Sequence, residues 1–389
     1  MACKYRKIAM KINNIYDITD MHKAAKKRLP RVFLDYIDSG SYQQQTVYEN
    51  EQAFRKIRIN QSAFKDCSQR NQTIEIFGFK SSVPFAIAPT GLAGMFWPKG
   101  EIALALAAEK LDIAYTMSTM AICSLETVAK EANNHFWFQL YLMKDRGFTK
   151  SLLERAKACG CQTIFVNADL PVSGIRYSDM RNGLSIPPKF GIRDIINITA
   201  KQSWVWGYLL SKYKQFGNLS GHIPTGAKGM KSVTDFMDSQ FDQSVTWKDI
   251  EWLRNIWDGN LIIKGLLNTQ GAENAVKVGA DGIVVSNHGG RQLDGVLPTI
   301  EALPAISDKV KGDIKIILDS GIRSDQDIIK ALALGADFTL VGRPFLYGLS
   351  AFGQKGVEKV YDILKKEIDN TMALAGISDL NNISTDVVV

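Results

Sequence analysis

Residues 281 to 295, Asp-Gly-Ile-Val-Val-Ser-Asn-His-Gly-Gly-Arg-Gln-Leu-Asp-Gly, set an imidazole, a guanidinium, a hydroxyl and an amide around two adjacent glycines. The β-branched run Ile283, Val284 and Val285 reads as a short buried strand ending at Ser286. Asn287, His288 and Arg291 all need polar partners, and Gly289 and Gly290 weaken any regular element, so this loop does not build a core. Polar groups on a glycine hinge at the C-terminal end of a strand suit a catalytic loop with His288 as its base. A turn in which His288 only caps a local backbone group fits the same residues. Histidine is scarce, at His22, His135, His222 and His288, and only His288 stands beside Gly-Gly and an arginine.

Such a loop needs a scaffold. From Val83 onward the chain repeats an apolar strand followed by an amphipathic helix, with strands expected at 83–88, 113–117, 136–140, 163–167, 261–263, 283–285, 314–318 and 338–341. Eight such units in series imply an α/β fold, a TIM (β/α)8 barrel, because the strands are apolar on both faces and each crossover carries a helix. Residues 1–82 are expected as an N-terminal helical extension and cover, and 83–389 as the barrel, with a long excursion over 187–245 after the fourth strand. An open doubly wound sheet competes, but no Gly-x-Gly-x-x-Gly follows the first strand.

Strand C-termini of a barrel converge on one mouth. Ser118, Gln139, Tyr141, Asn167, Asp169, Lys264, Ser286, His288, Asp319, Arg323 and Arg343 should therefore share one pocket. The loops after the seventh and eighth strands read Asp319-Ser320-Gly321-Ile322-Arg323 and Gly342-Arg343-Pro344, and glycine with arginine there suits a phosphate. Helix caps with solvated arginines are the plainer alternative. Asp169 is placed to orient His288, and Lys264 to stabilise a developing anion or to form a rim salt bridge. Arg176 and Arg291 would hold a carboxylate by paired hydrogen bonds. From residues alone this is an anion-binding barrel enzyme with a histidine base, its cofactor unnamed.

The totals narrow the setting. Five cysteines, Cys3, Cys67, Cys123, Cys159 and Cys161, form no C-x-x-C pair, which argues against a disulfide scaffold or thiolate zinc site and for a reducing cytosol. Four scattered histidines make a histidine-built metal site improbable, so no metal is expected. The net charge of +7 is interspersed along the chain and does not indicate nucleic acid. No apolar run is long enough for a transmembrane helix, and the basic start leads into no signal-peptide core. Residues 201 to 232 carry Lys201, Lys212, Lys214, Lys228 and Lys231 with Trp204, Trp206, Tyr208, Tyr213 and Phe216 and no acid. That composition suits an anionic membrane surface, or a lid over the pocket.

Ser286-Asn287-His288-Gly289-Gly290-Arg291-Gln292-Leu293-Asp294 resembles the signature of the FMN-dependent 2-hydroxy acid dehydrogenase and oxidase family. The likeness extends over Ala88-Pro89-Thr90-Gly91, Phe138-Gln139-Leu140-Tyr141, Lys264-Gly265 and the two Gly-Arg loops. Trp247-Lys248-Asp249, Trp257-Asp258-Gly259 and Val310-Lys311-Gly312-Asp313 are similar to the bacterial respiratory branch that acts on L-lactate. The resemblance implies FMN as cofactor, His288 as base and Asp169 as its partner. It implies that Arg176, Arg291, Tyr36 and Tyr141 bind substrate, and that Lys264 sits by the flavin N1 and O2 edge. Pro89, Thr90, Gly91, Ser118, Gln139 and Asn167 would meet the isoalloxazine, and Ser286, Asp319, Gly321, Arg323, Gly342 and Arg343 the ribityl phosphate. Asn167 stands where the family usually has threonine, and Gly91 where plant-type oxidases have alanine. The expected reaction is oxidation of L-lactate, with electrons going to a membrane quinone or another respiratory acceptor. The expected location is the cytoplasm, peripheral on the inner face of the cell membrane, and a tetramer is implied. A soluble oxidase using oxygen and a mandelate-type dehydrogenase are the rivals.

Overall fold

The computed structural model describes residues 11–132, 136–184, 190–219 and 240–389. Cys3, Met10, His135 and His222 lie outside the described residues, as does the stretch 220–239 with Lys228 and Lys231.

The N-terminal cover consists of three helices. In α1 (Ile18–Arg28), Asp17 caps the start by accepting from the Asp20 N–H, and Ile18, Met21, Ala24 and Ala25 are buried. Pro30, with φ fixed near the helical value, opens α2 (Arg31–Asp38), which buries Val32, Phe33, Leu34 and Ile37. After the turn at Ser39–Gln44 comes α3 (Gln45–Lys56). The hairpin of β1 (Ile74–Ile76) and β2 (Phe79–Ser81) then plugs the barrel floor, with Phe77 and Phe79 edge-on to Trp137. Gly282 permits this, since a Cβ there would lie 2.6 Å from the Phe77 ring.

Eight parallel strands follow: β3 (Phe85–Ile87), β4 (Thr116–Ser118), β5 (Trp137–Leu140), β6 (Thr163–Asn167), β7 (Asn260–Leu266), β8 (Gly282–Val285), β9 (Lys315–Leu318) and β10 (Phe338–Val341). They pair in the order β3-β10-β9-β8-β7-β6-β5-β4. A parallel bridge between Ile87 and Tyr115, with the Ile87 N–H 3.0 Å from the Ala114 oxygen, completes the ring. Strands β3, β4, β5, β8 and β10 are buried along their whole length, which is why β3 and β8 read as apolar runs without alternation. The expected TIM barrel is the fold.

Most strand ends fall within one or two residues of expectation, and two strands depart further. The second strand, expected over 113–117, forms at Thr116–Ser118, because Ile113 returns its N–H to Ala108 to close the preceding helix. The fifth extends beyond 261–263 to Asn260–Leu266, with its register shifted at Gly265 between Lys264 and Leu266. Between β6 and β7 run the helices Tyr177–Arg181, Ile192–Thr199, Gln202–Leu210 and Trp247–Ile256. Among the described residues no helix is long and apolar enough to cross a membrane, and no cluster of side chains could hold a metal ion.

Candidate active site

Beyond β8 the backbone turns through three successive left-handed residues, His288 (φ +59°), Gly289 (φ +67°) and Gly290 (φ +71°). Glycine takes this conformation freely, whereas an imidazole-bearing residue there is uncommon and must be held. The Ser286 hydroxyl accepts the His288 N–H at 3.1 Å, the Ser320 hydroxyl accepts that of Gly289 at 2.9 Å, and Asn287 Oδ1 accepts that of Gly290 at 3.1 Å. Asn287 and Asn50 exchange amide hydrogen bonds at 2.9 and 2.7 Å, tying the turn to α3.

The turn brings His288 Nδ1 to 3.1 Å from Asp169 Oδ2, leaving Nε2 as the ring nitrogen free to take a proton. Asp169 Oδ1 accepts from Asn167 Nδ2 at 2.8 Å. Burial would raise the Asp169 pKa, but His288, Lys264 and Asn167 outweigh it and hold the carboxyl at about 2. Gly265 (φ +102°) makes room for the pair, since a Cβ there would lie 2.5 Å from Asp169 Cγ. Gly265→Ala should therefore push the carboxylate off His288 and lower turnover by about 10²-fold, the usual cost of a misplacement near 1 Å. Steady-state kinetics at matched flavin content checks it.

Lys264, 4% exposed, places Nζ 2.7 Å from Asp319 Oδ2 and 2.7 Å from Ser286 Oγ. Asp319 also accepts from the Ser320 hydroxyl at 2.8 Å. Arg291 donates through Nη1 to the Tyr36 and Ser39 carbonyls at 2.6 and 2.9 Å, while its buried Nη2 has no partner among the described residues. Its guanidinium lies 4.5 Å from the centre of the Tyr36 ring, and that of Arg176 lies 6.0 Å from it. Arg176 is paired with Asp179 at 2.7 Å. Burial, with Asp169 and Tyr36 nearby, pushes the Tyr141 phenol up, so it serves as a hydrogen-bond donor. Arg343 ties the end of α2 to the turn, donating to Ile37, Ser39 and Gly289 carbonyls at 2.8 to 3.0 Å, and burial lowers its pKa to about 10. Arg323 pairs with Glu51 of α3 at 2.9 Å.

These groups surround a single cavity of 590 Å³, well within the ~300–1,000 Å³ range of cofactor and ligand clefts. Every site residue expected from sequence lines it except Asp169, which stands behind His288, and Ser286, whose hydroxyl is turned to Lys264 and the His288 N–H. Pro89, Thr90 and Gly91 arrive on the loop after β3, and Ser118 and Gln139 at the tips of β4 and β5. Ser118 Oγ holds Gln139 Oε1 at 3.0 Å. Thr90 Oγ1, Gln139 Nε2, Asn167 Oδ1 and Arg291 Nη2, on residues that line this cavity, are buried and unpartnered among the described residues, as groups that await a polar ligand are. The walls also hold Asp179, Met120, Leu170 and Phe241, which the sequence did not single out, and Asp179 anchors Arg176. Of these four, Asp179 carried a signal, standing three residues after Arg176, which caps the helix Tyr177–Arg181.

The described part of the stretch from 201, residues 201–219, is buried at some positions and exposed at others. Trp204 is buried, donates to the Met95 carbonyl at 2.8 Å and stacks on Tyr208 at 5.2 Å, and Phe216 lines the cavity. Lys201 donates to the carbonyls of Lys26 and Lys27. The exposed apolar side chains are instead Ile192, Ile195 and Ile196 on one helix and Trp206, Leu209 and Leu210 on the next, each set at i, i+3 and i+4 spacing.

The model of the FMN-dependent dehydrogenase family matches residues 25–389. The L-lactate dehydrogenase of Vibrio cholerae serotype O1 (strain M66-2) is 46% identical over 372 residues, covering 95% of this chain and 98% of that protein. That of Alcaligenes faecalis is 43% identical over 374 residues, with 95% and 98% covered. The crystal structure of the monotopic membrane protein (S)-mandelate dehydrogenase superposes with a TM-score of 0.92 at 34% identity, covering 97% of this chain and 99% of that one. With a barrel, a cavity at its mouth that gathers these charged and polar groups, and this end-to-end likeness, the chain belongs to the FMN-dependent dehydrogenase family.

Proposed function

We propose that this 2-hydroxy acid dehydrogenase oxidises L-lactate to pyruvate with His288 as the base, and that its electrons pass to a membrane quinone. The observation that carries the reading is the His288–Asp169 pair at 3.1 Å facing a cavity that also holds Arg176 and Arg291. Relatives named L-lactate dehydrogenase at 43–46% identity support lactate as the substrate.

The residues fit FMN. Thr90, Gln139 and Asn167 offer unpaired side-chain atoms to a flavin ring beside the 89–91 loop, and Gly321, Gly342, Arg323 and Arg343 offer close backbone and charge to its phosphate. The cation of Lys264, backed by Asp319 and Ser286, would favour negative charge on the reduced ring. FMN, when bound, supplies the two-electron acceptor. Arg291 and Arg176 bind the substrate carboxylate, Arg291 through the Nη2 left free by its two backbone contacts. Tyr141 and Tyr36 donate to substrate oxygens. Nε2 of His288 takes a proton from the substrate, and Asp169 stabilises the resulting imidazolium. Loss of two electrons and two protons leaves the 2-oxo acid.

The likeness to an (S)-mandelate dehydrogenase favours a second reading, an aryl substrate. Comparing kcat/KM for L-lactate and (S)-mandelate separates the two, and a preference for mandelate overturns the first. For the acceptor, rapid turnover with a quinone analogue and little peroxide under air is the expected result, and stoichiometric peroxide with slow quinone reduction contradicts it.

The helices Ile192–Thr199 and Gln202–Leu210 support the membrane location. Ile192, Ile195, Ile196, Trp206, Leu209 and Leu210 give an apolar surface, with Arg193, Lys212 and Lys214 nearby in sequence to meet anionic headgroups. Ile195→Glu with Ile196→Glu should release the enzyme from anionic vesicles in a flotation assay while it still oxidises lactate with a soluble dye. Unchanged flotation would contradict this.

A further inference from the structure

A second cavity of 410 Å³ lies against the first, among β6, β7 and the helices Trp247–Ile256 and Thr269–Lys277. Its lining is largely apolar, with Leu142, Val166, Val245, Ile250 and Leu266. Tyr141, Asn167, Leu170 and Phe241 line both cavities, so the side chains of these four residues separate them. Asn167 is bound to Asp169, Leu170 follows that carboxylate in the chain, and Tyr141 faces the two arginines electrostatically. Phe241 has no polar duty. Its ring meets Tyr141 at 5.7 Å in an edge contact of 86°, and it is 9% exposed. Its backbone is pinned by the antiparallel bridge to Met143 and by the Lys144 N–H on the Gln240 carbonyl at 2.9 Å.

In a 2-hydroxy acid, three substituents of the reacting carbon have assigned neighbours: the hydroxyl by His288, the carboxylate by the arginines and the hydrogen by the cofactor. The fourth, the side chain, is left with the apolar wall. We propose that Phe241 is the partition that confines this side chain to a small group, and that the chamber behind it is a latent pocket for an aryl or longer alkyl side chain. A fixed aromatic edge stops a larger group by overlap, and shortening it joins two apolar spaces without adding an unpaired polar atom. The inference rests on the assignment of the arginines and Tyr141 to the substrate.

The test uses the FMN-loaded enzyme and compares kcat/KM for L-2-hydroxyoctanoate and L-phenyllactate with that for L-lactate. In Phe241→Ala the ratio should rise about 10- to 200-fold, the range that admission of an apolar group into a pocket commands. Phe241→Leu should move it in the same direction by less, and serves if the alanine variant does not fold. Ile250→Phe fills the chamber from its far side without lining the active-site cavity, so adding it to Phe241→Ala should bring the ratio back toward wild type. An unchanged ratio in both Phe241 variants, or a raised ratio that Ile250→Phe fails to reverse, overturns the partition. Wild-type enzyme that oxidises no 2-hydroxy acid overturns the functional reading instead.

Discussion

His288→Gln yields a folded, flavin-loaded protein whose kcat on lactate falls by about 10²-fold or more, because general-base catalysis is lost while the turn that carries residue 288 is kept. The backbone of that turn is held by Ser286, Ser320 and Asn287 through hydrogen bonds that do not involve the imidazole, so glutamine can occupy the same position. The cofactor walls at 89–91, 139 and 342–343 are likewise untouched. Rapid-reaction reduction by lactate, with flavin content matched to wild type, checks it. The pH dependence follows from the partner. Asp169, held at about 2, is ionised throughout the working range, so a loss of kcat/KM on mild acidification does not come from this carboxylate. A depressed carboxyl pKa also has a defined sign in stability. Its contribution is complete above the ordinary value of 3.8 and is lost as pH falls through about 2.

Lys264→Met is the substitution with the largest expected effect on stability. Lys264 and Asp319 are almost wholly buried and paired at 2.7 Å, and removing the cation leaves a carboxylate in a water-poor site supported, among the described residues, by the Ser320 hydroxyl. Breaking a buried pair from one side costs about 3–5 kcal/mol. Denaturant unfolding of the flavin-free protein should show that loss as a lower midpoint. Lys264→Met with Asp319→Leu should recover much of it, because no charge is then stranded. Recovery of stability without recovery of turnover would separate the structural part of Lys264 from its effect on the flavin. A single variant as stable as wild type would mean that the carboxylate is neutralised in another way.

How far the sequence foretold the site depended on what positioned each residue. Strands buried on both faces leave unbroken apolar runs, so Ile283 to Val285 and Phe338 to Val341 were legible, and barrel topology then brought Asp169 to His288 across 119 positions. Ile113 and Ala114 look as strand-like as Thr116 to Ser118, and only the hydrogen bond from Ile113 back to Ala108 shows where the preceding helix closes. Positions on the excursion carry no such periodic signal. Trp204 and Trp206 stand two residues apart, yet one is buried beneath Met95 and the other exposed, because a tertiary contact chose the face. Phe241 shows nothing in sequence that distinguishes it from any aromatic near a helix start. Gly265 is the reverse case, a single small residue whose meaning appears only with the Asp169 side chain in place.

The central claim is that residues from separate strand tips form one flavin site that oxidises a small 2-hydroxy acid. The visible spectrum of the purified protein, recorded without oxygen before and after L-lactate, tests it most directly. A yellow protein with flavin absorption that bleaches at once on adding L-lactate, and not D-lactate, is the predicted result. A colourless protein that cannot be loaded with FMN, or a yellow one that stays yellow with every L-2-hydroxy acid tried, would contradict it.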